Sequence, residues 1–414
     1  MSSSLSRPLE GVRVLDLTVA LSGPYGSLLL AGLGAEVIRV ESPDGGDIAR
    51  TNPPFVGDEG MHFGAMKPGD VSLTTLNRAR NKKSVTLDLK SKKGHELFMR
   101  LVKEADVVFE NFSEGTAAKL KVDYARVREA NPKIIYASIK AFGEPSDRPQ
   151  LKGMDIIVQA LSGIMEVTGE PGGAPTRWGL PIADMVSPLF VVNGILAALI
   201  QRGRTGEGQA VTVSMLDCLA SMVAGENFDV MTQAGYPLKS GNFQDRLCPF
   251  GVYAAKDGAV AIVAFSPEWF RSLVGWIGRT DLLEDARYAT RGPRMKHAKE
   301  VNALIEAWTR EHTTEEIVRE LLDKRGVPCA RVRSPLEVLD DPVLHERGAV
   351  MRIAHPGLGD ARPTAMGNPI RMSNANVQFD RPAPNLGESN EQIYGGLLKL
   401  SAEELRQLKS EGVI

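Results

Sequence analysis

Val12-Arg13-Val14-Leu15-Asp16-Leu17 is a short run of mostly apolar, branched residues, the composition of a buried strand. A Gly23-Pro24 break follows it, then an apolar helix containing glycine and alanine from about Tyr25 to Leu33, then a second strand, Glu36-Val37-Ile38-Arg39-Val40. Strand, helix and strand within about 30 residues make a βαβ unit, which implies a parallel sheet with a right-handed crossover. Ligands of such sheets gather where the strands end. The turn Thr18-Val19-Ala20-Leu21-Ser22-Gly23-Pro24 therefore becomes the first place to look. It is not GxGxxG, so a dinucleotide site is poorly supported; a helix start with a structural Gly-Pro turn is the other reading.

The alternation continues. Ser84 to Leu89 reads as a strand, Lys93 to Ala105 as a helix, and Asp106 to Phe112 as a strand ending in polar residues. Helical segments at about Thr116 to Leu120 and Tyr124 to Ala130 lead to the buried strand Ile134 to Ile139. This half of the chain is predicted to be an open, doubly wound α/β layer. Between its second and third strands, Pro43 to Leu76 is loop-rich, and loops that long inside a domain are usually functional. The loop ends in Arg78, Arg80, Lys82 and Lys83. Such a cluster suits either a phosphate-bearing ligand or a solvated positive surface.

Gly153 to Gly163 starts like a buried apolar helix and passes through Thr168-Gly169 to Pro181-Ile182-Ala183-Asp184. Asp184 stands between Ile182-Ala183 and Met185-Val186, with no basic residue nearer in sequence than Arg177. Carboxylates seldom enter such surroundings unpaired. It reads either as a cap on a helix running from Pro188 to Ile200 or as a functional group; Ser187 competes for the cap, because Pro188 suits a first helical position. The turn Arg202 to Gln209 then leads to a strand, Ala210 to Ser214, and a helix, Met215 to Gly225.

Composition changes after residue 225. Phe250 to Phe265 alternates like an antiparallel hairpin turned at Lys256-Asp257-Gly258. Amphipathic helices follow at Pro267–Ile277, Lys299–His312 and Thr313–Lys324, the last opening with a Thr-Thr-Glu-Glu capping pattern. Residues 226–330 are predicted to be a smaller α+β domain, and residues 331–414 a tail with a short strand near Ala349–Ile353 and a helix at Ala402–Ser410. A tail of this kind is expected to wrap over another domain or a neighbouring subunit.

The bulk numbers fit this plan. A chain of 414 residues suggests two or so domains at about 150 residues each. Its 43% hydrophobic and 24% charged residues are ordinary for a globular protein, and 49 basic against 51 acidic residues give a net charge of −2 and no global field for nucleic acid. The most apolar run, Phe190 to Ile200, falls short of the ~18 residues of a membrane span. Met1 to Pro8 lacks an apolar signal core. Cys218, Cys248 and Cys329 form no pair or framework and read as buried, reduced thiols of a cytoplasmic protein. The six histidines show no HxxxH or HExxH spacing, so no metal site is expected.

Taken in order, several of these stretches resemble the class III CoA-transferases, the family that includes formyl-CoA transferase and carnitine CoA-transferase. The most specific are Pro8 to Leu17, Leu33 to Glu41, Arg80-Asn81-Lys82-Lys83-Ser84, Val107 to Phe112, Pro181 to Asp184, and Thr205-Gly206-Glu207-Gly208-Gln209. The resemblance runs nearly end to end. It implies an enzyme that moves CoA between two carboxylic acids, with CoA as substrate and carrier and no permanently bound cofactor. It also implies a large α/β domain (residues 1–225 plus the return segment 331–414), a smaller domain at 226–330, and two chains interlaced. A homodimer is expected, with a hetero-oligomer of related subunits as the alternative.

By resemblance, Asp184 falls on the catalytic aspartate, which forms an aspartyl anhydride and then an aspartyl-CoA thioester. The matching CoA-contacting positions are Ala20, Leu21 and Ser22 in the first turn, Leu87 in the third strand, Asn111, Phe112 and Ser113 at a strand end, and Lys119 and Lys152 as phosphate partners. The family often has an arginine just after the second strand, where this chain has Ser42; Arg39 is the nearest substitute. Leu21 stands where formyl-CoA transferase has a glutamine, which speaks against oxalate as acceptor. Only Gly241 and Gly251 are present where that enzyme has a glycine lid near Asn242 to Asp245. The related α-methylacyl-CoA racemases carry Gly-His-Asp where this chain reads Gly153-Met154-Asp155; Met154 cannot exchange a proton, so racemisation is disfavoured. A non-catalytic CoA-binding subunit is the further rival, against which Asp184 argues. Arg177 and Arg246 are candidates to meet a second carboxylate, pointing to a dicarboxylate donor such as succinyl-CoA.

Overall fold

Branched and apolar residues that cannot face water on either side build the centre of the first unit. In the computed structural model, which describes residues 6–58, 60–148 and 150–414, six parallel strands form one sheet: β1 (Arg13–Asp16), β2 (Glu36–Glu41), β3 (Lys82–Thr86), β4 (Val107–Glu110), β5 (Ile135–Lys140) and β6 (Ala210–Ser214). Their order across the sheet is β3-β2-β1-β4-β5-β6. The chain winds outward from β1 to β3, then returns to place β4 on the other side of β1. That reversal opens a crevice at the carboxyl ends of β1 and β4, where the order switches direction. Five of the six strands are buried at all or all but one of their positions, as a sheet covered on both faces requires.

Helix α1 (Ser22–Gly32) is buried almost all round. Its glycines permit this: a Cβ on Gly26 would lie 3.0 Å from the Phe109 ring and 3.5 Å from Pro188. The helices α2 (Lys92–Lys103), α3 (Asp155–Leu161), α4 (Ile182–Thr205) and α5 (Met215–Ala224) complete this description. The loop after β2 holds a short helix at Ile48–Thr51 and a three-stranded antiparallel sheet of Phe55–Gly57, Gly60–His62 and Val71–Ser72.

The chain divides into two units. One holds residues up to Ser162, Gly179–Gly225 and Leu339–Ile414; the other holds Gly163–Trp178 and Glu226–Val338. Gly163–Trp178, read from sequence as part of the large domain, folds with the second unit, where Gly241 donates its N–H to Gly169 O at 3.0 Å. The return to the first unit comes at Leu339 rather than 331.

The second unit centres on a three-stranded antiparallel sheet, β7 (Phe250–Ala255), β8 (Gly258–Val263) and β9 (Cys329–Arg331), packed with helices around Tyr253, Phe270 and Ile305. The expected capping box forms at Thr313 and Glu316. The tail returns to its own unit and covers the sheet edge at β3: Ser389 N–H donates to Ser84 O at 2.9 Å, and the Tyr394 hydroxyl to Thr86 O at 2.8 Å. Covering an edge strand in this way removes a row of unpaired backbone groups.

Two expectations need correction. Helix α4 begins at Ile182, six residues before Pro188, which lies inside it, so Asp184 is in its first turn and not a cap before it. At 24 residues, α4 is also long and apolar enough to cross a membrane by length and composition, although Ile182, Ala183, Ser187, Val191, Val192, Ile195 and Ala198 along it are buried within the fold. All three cysteines are free and buried.

Candidate active site

The crevice at the switch point holds a cleft of about 390 Å³ lined by Val19–Ser22 after β1, Asn111–Ser113 after β4, Gly153–Asp155 and Asp184. Six of the ten sequence-derived CoA positions, together with Asp184, therefore converge here: Ala20, Leu21, Ser22, Asn111, Phe112 and Ser113. Leu87 lines a neighbouring cavity of about 190 Å³, which shares Val19 and Phe112 with the cleft and also takes in Leu17, Val40 and Ser42.

The β1–α1 turn is held rigidly. The Asn111 side chain accepts from Val19 N–H at 2.8 Å and donates to Val19 O at 2.9 Å. Ala20 is left-handed at φ 64°, a conformation that a residue with a Cβ keeps only when its surroundings impose it. They do so from both ends. Asp47 accepts the Ala20 N–H at 3.0 Å, and an Arg78 Nη donates to Ala20 O at 3.1 Å. Gly23 is needed because a Cβ there would fall 2.2 Å from that of Thr18.

Arg39 does not face the cleft. It is 1% exposed and ion-paired with Asp47 and Glu41. Its place is inside the sheet, where it holds Asp47 and through it Ala20; the expected ligand contact is corrected to a supporting one. The basic cluster also separates. Lys82 is fully buried and donates to Asp16 at 3.1 Å, Pro24 O at 2.9 Å and Ser27 at 2.7 Å. Burial outweighs its partners and lowers its pKa to about 8. Arg80 is buried against Phe379, and Lys83 pairs with Glu36 at 2.6 Å. Only Arg78 is turned toward the site. Lys119 and Lys152 stand exposed, and neither lines either cavity.

Asp184 sits where a carboxylate is costly to charge. Desolvation raises its pKa to about 6, the charge of Asp155 adds to the rise, and Arg78 and a hydrogen bond with Ser22 oppose it. The N-cap position of α4 is Pro181, which offers no side-chain acceptor. Asp155 supplies one instead: its Oδ1 accepts from Ala183 N–H at 2.8 Å and Asp184 N–H at 3.3 Å. Asp184 is thus relieved of capping, so the cap reading of the local sequence does not hold. The cleft lining includes two carboxylates and no histidine, so the paired bases of a racemase of the Gly-His-Asp type are not assembled. Asp155 and Asp47 were not picked out as site residues from sequence, and Arg78 only as one of a basic cluster; with the helix start read at Pro188, the need for an acceptor beyond Pro181 was hidden. Arg177 and Arg246 both belong to the second unit. Arg177 donates to Trp178 O at 2.8 Å and Arg246 pairs with Glu226 at 2.7 Å. Among the described residues, no group of three or more His, Cys, Asp or Glu side chains could hold a metal ion.

Comparison with known proteins adds names to this geometry. The profile of the family described as CoA-transferase family III matches residues 9–390. A succinyl-CoA:mesaconate CoA-transferase of Haloarcula marismortui is 37% identical over 93% of this chain and 95% of its own. A formyl-CoA:oxalate CoA-transferase of Streptomyces coelicolor is 35% identical over 99% of this chain and 100% of its own. A crystal structure of a CAIB/BAIF family protein from Brucella suis superposes with a TM-score of 0.81 at 33% identity, over 95% of this chain and 100% of that one.

Proposed function

The chain belongs to CoA-transferase family III, and from that premise we propose that it takes CoA from succinyl-CoA and passes it to another carboxylic acid by covalent steps on Asp184. That it is a CoA-transferase, with CoA as substrate and carrier, follows from the family; donor and route are our reading. The observation that supports the route is the Asp184 carboxylate in the cleft, relieved of capping by Asp155 and raised in pKa to about 6. It is ionised at neutral pH yet more basic than an ordinary Asp, and such a group is a better nucleophile.

An Asp184 oxygen attacks the thioester carbonyl; the C–S bond breaks, leaving an aspartyl mixed anhydride and CoA thiolate. The thiolate attacks the aspartyl carbonyl, releasing the donor as carboxylate and leaving an aspartyl-CoA thioester. The acceptor carboxylate then attacks this thioester, forming a second anhydride and freeing the thiolate. The thiolate takes the acceptor's carbonyl and restores Asp184. Each thioester is replaced by another, so no ATP is consumed.

Succinyl-CoA is favoured by the succinyl-CoA:mesaconate relative and by Leu21, which offers no polar group toward a compact acid such as oxalate. In the cleft, Ala20–Ser22 and Asn111–Ser113 would hold the CoA ester, with Leu87 and Phe112 in the neighbouring apolar cavity and the exposed Lys119 and Lys152 available to its phosphates.

A hydroxylamine trap tests the reading. Incubated with a panel of acyl-CoAs including succinyl-, butyryl- and formyl-CoA, then quenched and digested, the enzyme is expected to yield a hydroxamate on the Asp184 peptide, strongest with succinyl-CoA. Asp184→Ala should yield none and lose transfer at least ~10³-fold. A native enzyme that binds CoA and stays unmodified with every donor would instead be a non-catalytic subunit.

A further inference from the structure

We infer that Asp155 is a positioning residue for the transfer: it holds the first turn of α4 so that the Asp184 carboxylate stays free in the cleft, and its negative charge makes Asp184 a stronger nucleophile. The inference rests on covalent chemistry at Asp184 and deepens it.

The geometry comes first. A helix start leaves its first N–H groups without intrahelical partners, and a residue just before the helix normally accepts from them. Pro181 cannot. Asp155 accepts instead from the N–H groups of both Ala183 and Asp184, reaching across from the first turn of α3. Its other oxygen is fixed in turn, accepting from Gln159 Nε2 at 2.6 Å, and Gln159 is fully buried one turn further along α3. The acceptor is therefore locked on both oxygens before any substrate arrives. Had Asp184 done the capping, its oxygens would be engaged by N–H donors. A carboxylate so engaged is more acidic and less nucleophilic.

Charge follows from the same placement. The positive end of α4 favours carboxylates near it, and here two share that end. Asp184 is faced by Asp155 from α3, by the Arg78 guanidinium, and by the Ser22 hydroxyl of α1. From α5, packed alongside, the nearby titratable groups are Asp217 and Cys218, whose thiol burial pushes up to about 11. Asp155 is thus the one close negative group that opposes ionisation of Asp184, and its removal leaves Arg78 and Ser22 unopposed.

Two variants separate position from charge. Asp155→Asn keeps an oxygen able to accept from both N–H groups and loses the charge; Asp155→Ala loses both. Transfer from succinyl-CoA and hydroxamate formation at Asp184 are followed across about pH 5–9, with CoA affinity and thermal unfolding as controls. In the Asn variant the acid limb should move to lower pH by about half a unit or more, and the plateau rate should fall several-fold. The Ala variant should lose about 10²-fold in rate. An Asn profile whose acid limb coincides with the native one overturns the inference, as does an Ala variant with native rates. Should the Ala variant fail to fold, the Asn profile decides alone. Absence of hydroxamate in the native enzyme with every acyl-CoA is a different result: it removes the covalent premise, and this inference with it.

Discussion

At Asp184 the fold holds a carboxylate in a setting that opposes its charge, and that cost can be measured as stability. Its folded-state pKa of about 6 lies above the ordinary Asp value of 3.8. The native state therefore binds an extra proton between those limits, and the ionised group destabilises the fold fully above about pH 6. Asp184→Asn should accordingly raise the melting temperature at pH 8 by a few degrees. The gain should shrink as pH falls through 6 and vanish near 4; an equal gain at every pH would show that the charge is not its source. From sequence, the apolar flanks of Asp184 marked it as unusual. They could not tell a cap from a nucleophile, because that depends on whether another acceptor reaches the α4 N–H groups. Asp155, 28 positions upstream, does so.

The elements around the crevice are held by buried charge as much as by apolar packing. Lys82 in β3 meets Asp16 in β1 with both side chains fully buried, and Arg39 in β2 meets Asp47 and Glu41. Breaking such a pair leaves the remaining charge uncompensated, so Lys82→Met should destabilise the fold by roughly 3–5 kcal/mol, read by denaturant unfolding. The double change Lys82→Met with Asp16→Leu should recover much of that loss. A single variant as stable as the native chain would mean that Asp16 finds another partner. Four basic residues within six positions, Arg78, Arg80, Lys82 and Lys83, look alike in sequence. Whether each is solvated or buried is settled by the tertiary fold: β3 turns Lys82 inward, while Arg78, at the end of the helix Leu73–Arg78 that precedes it, acts on Asp184.

At the scale of the whole molecule, the apolar surface is the open feature. Leu189, Phe190 and Ile200 on α4 are 46%, 45% and 62% exposed, and Met154, Ile156 and Leu161 near or on α3 are also exposed. The family resemblance implies a second copy of the chain, and we propose that this surface meets it. On that reading, Phe190→Asp should shift the protein from dimer toward monomer in sedimentation velocity, with α4 still folded by circular dichroism. A native chain that sediments as a monomer would refute it.

The sequence by itself determined the alternation of strands and helices and the parallel sheet, because periodicity and turn chemistry act within a few residues; it pointed to the β1–α1 turn through the doubly wound order, while the reactive role of Asp184 is what the family resemblance implies. Six of the CoA positions that the resemblance implies meet in one cleft, since they lie beyond strand ends that the doubly wound order brings together. Only the tertiary structure decided that α4 starts at Ile182, that Arg39 and Lys82 are interior, that the tail closes the β3 edge, and that Asp155 takes the capping task from Asp184. Each of these is a choice of partner between groups far apart in the chain, made by burial and distance, and no local pattern of residues encodes it.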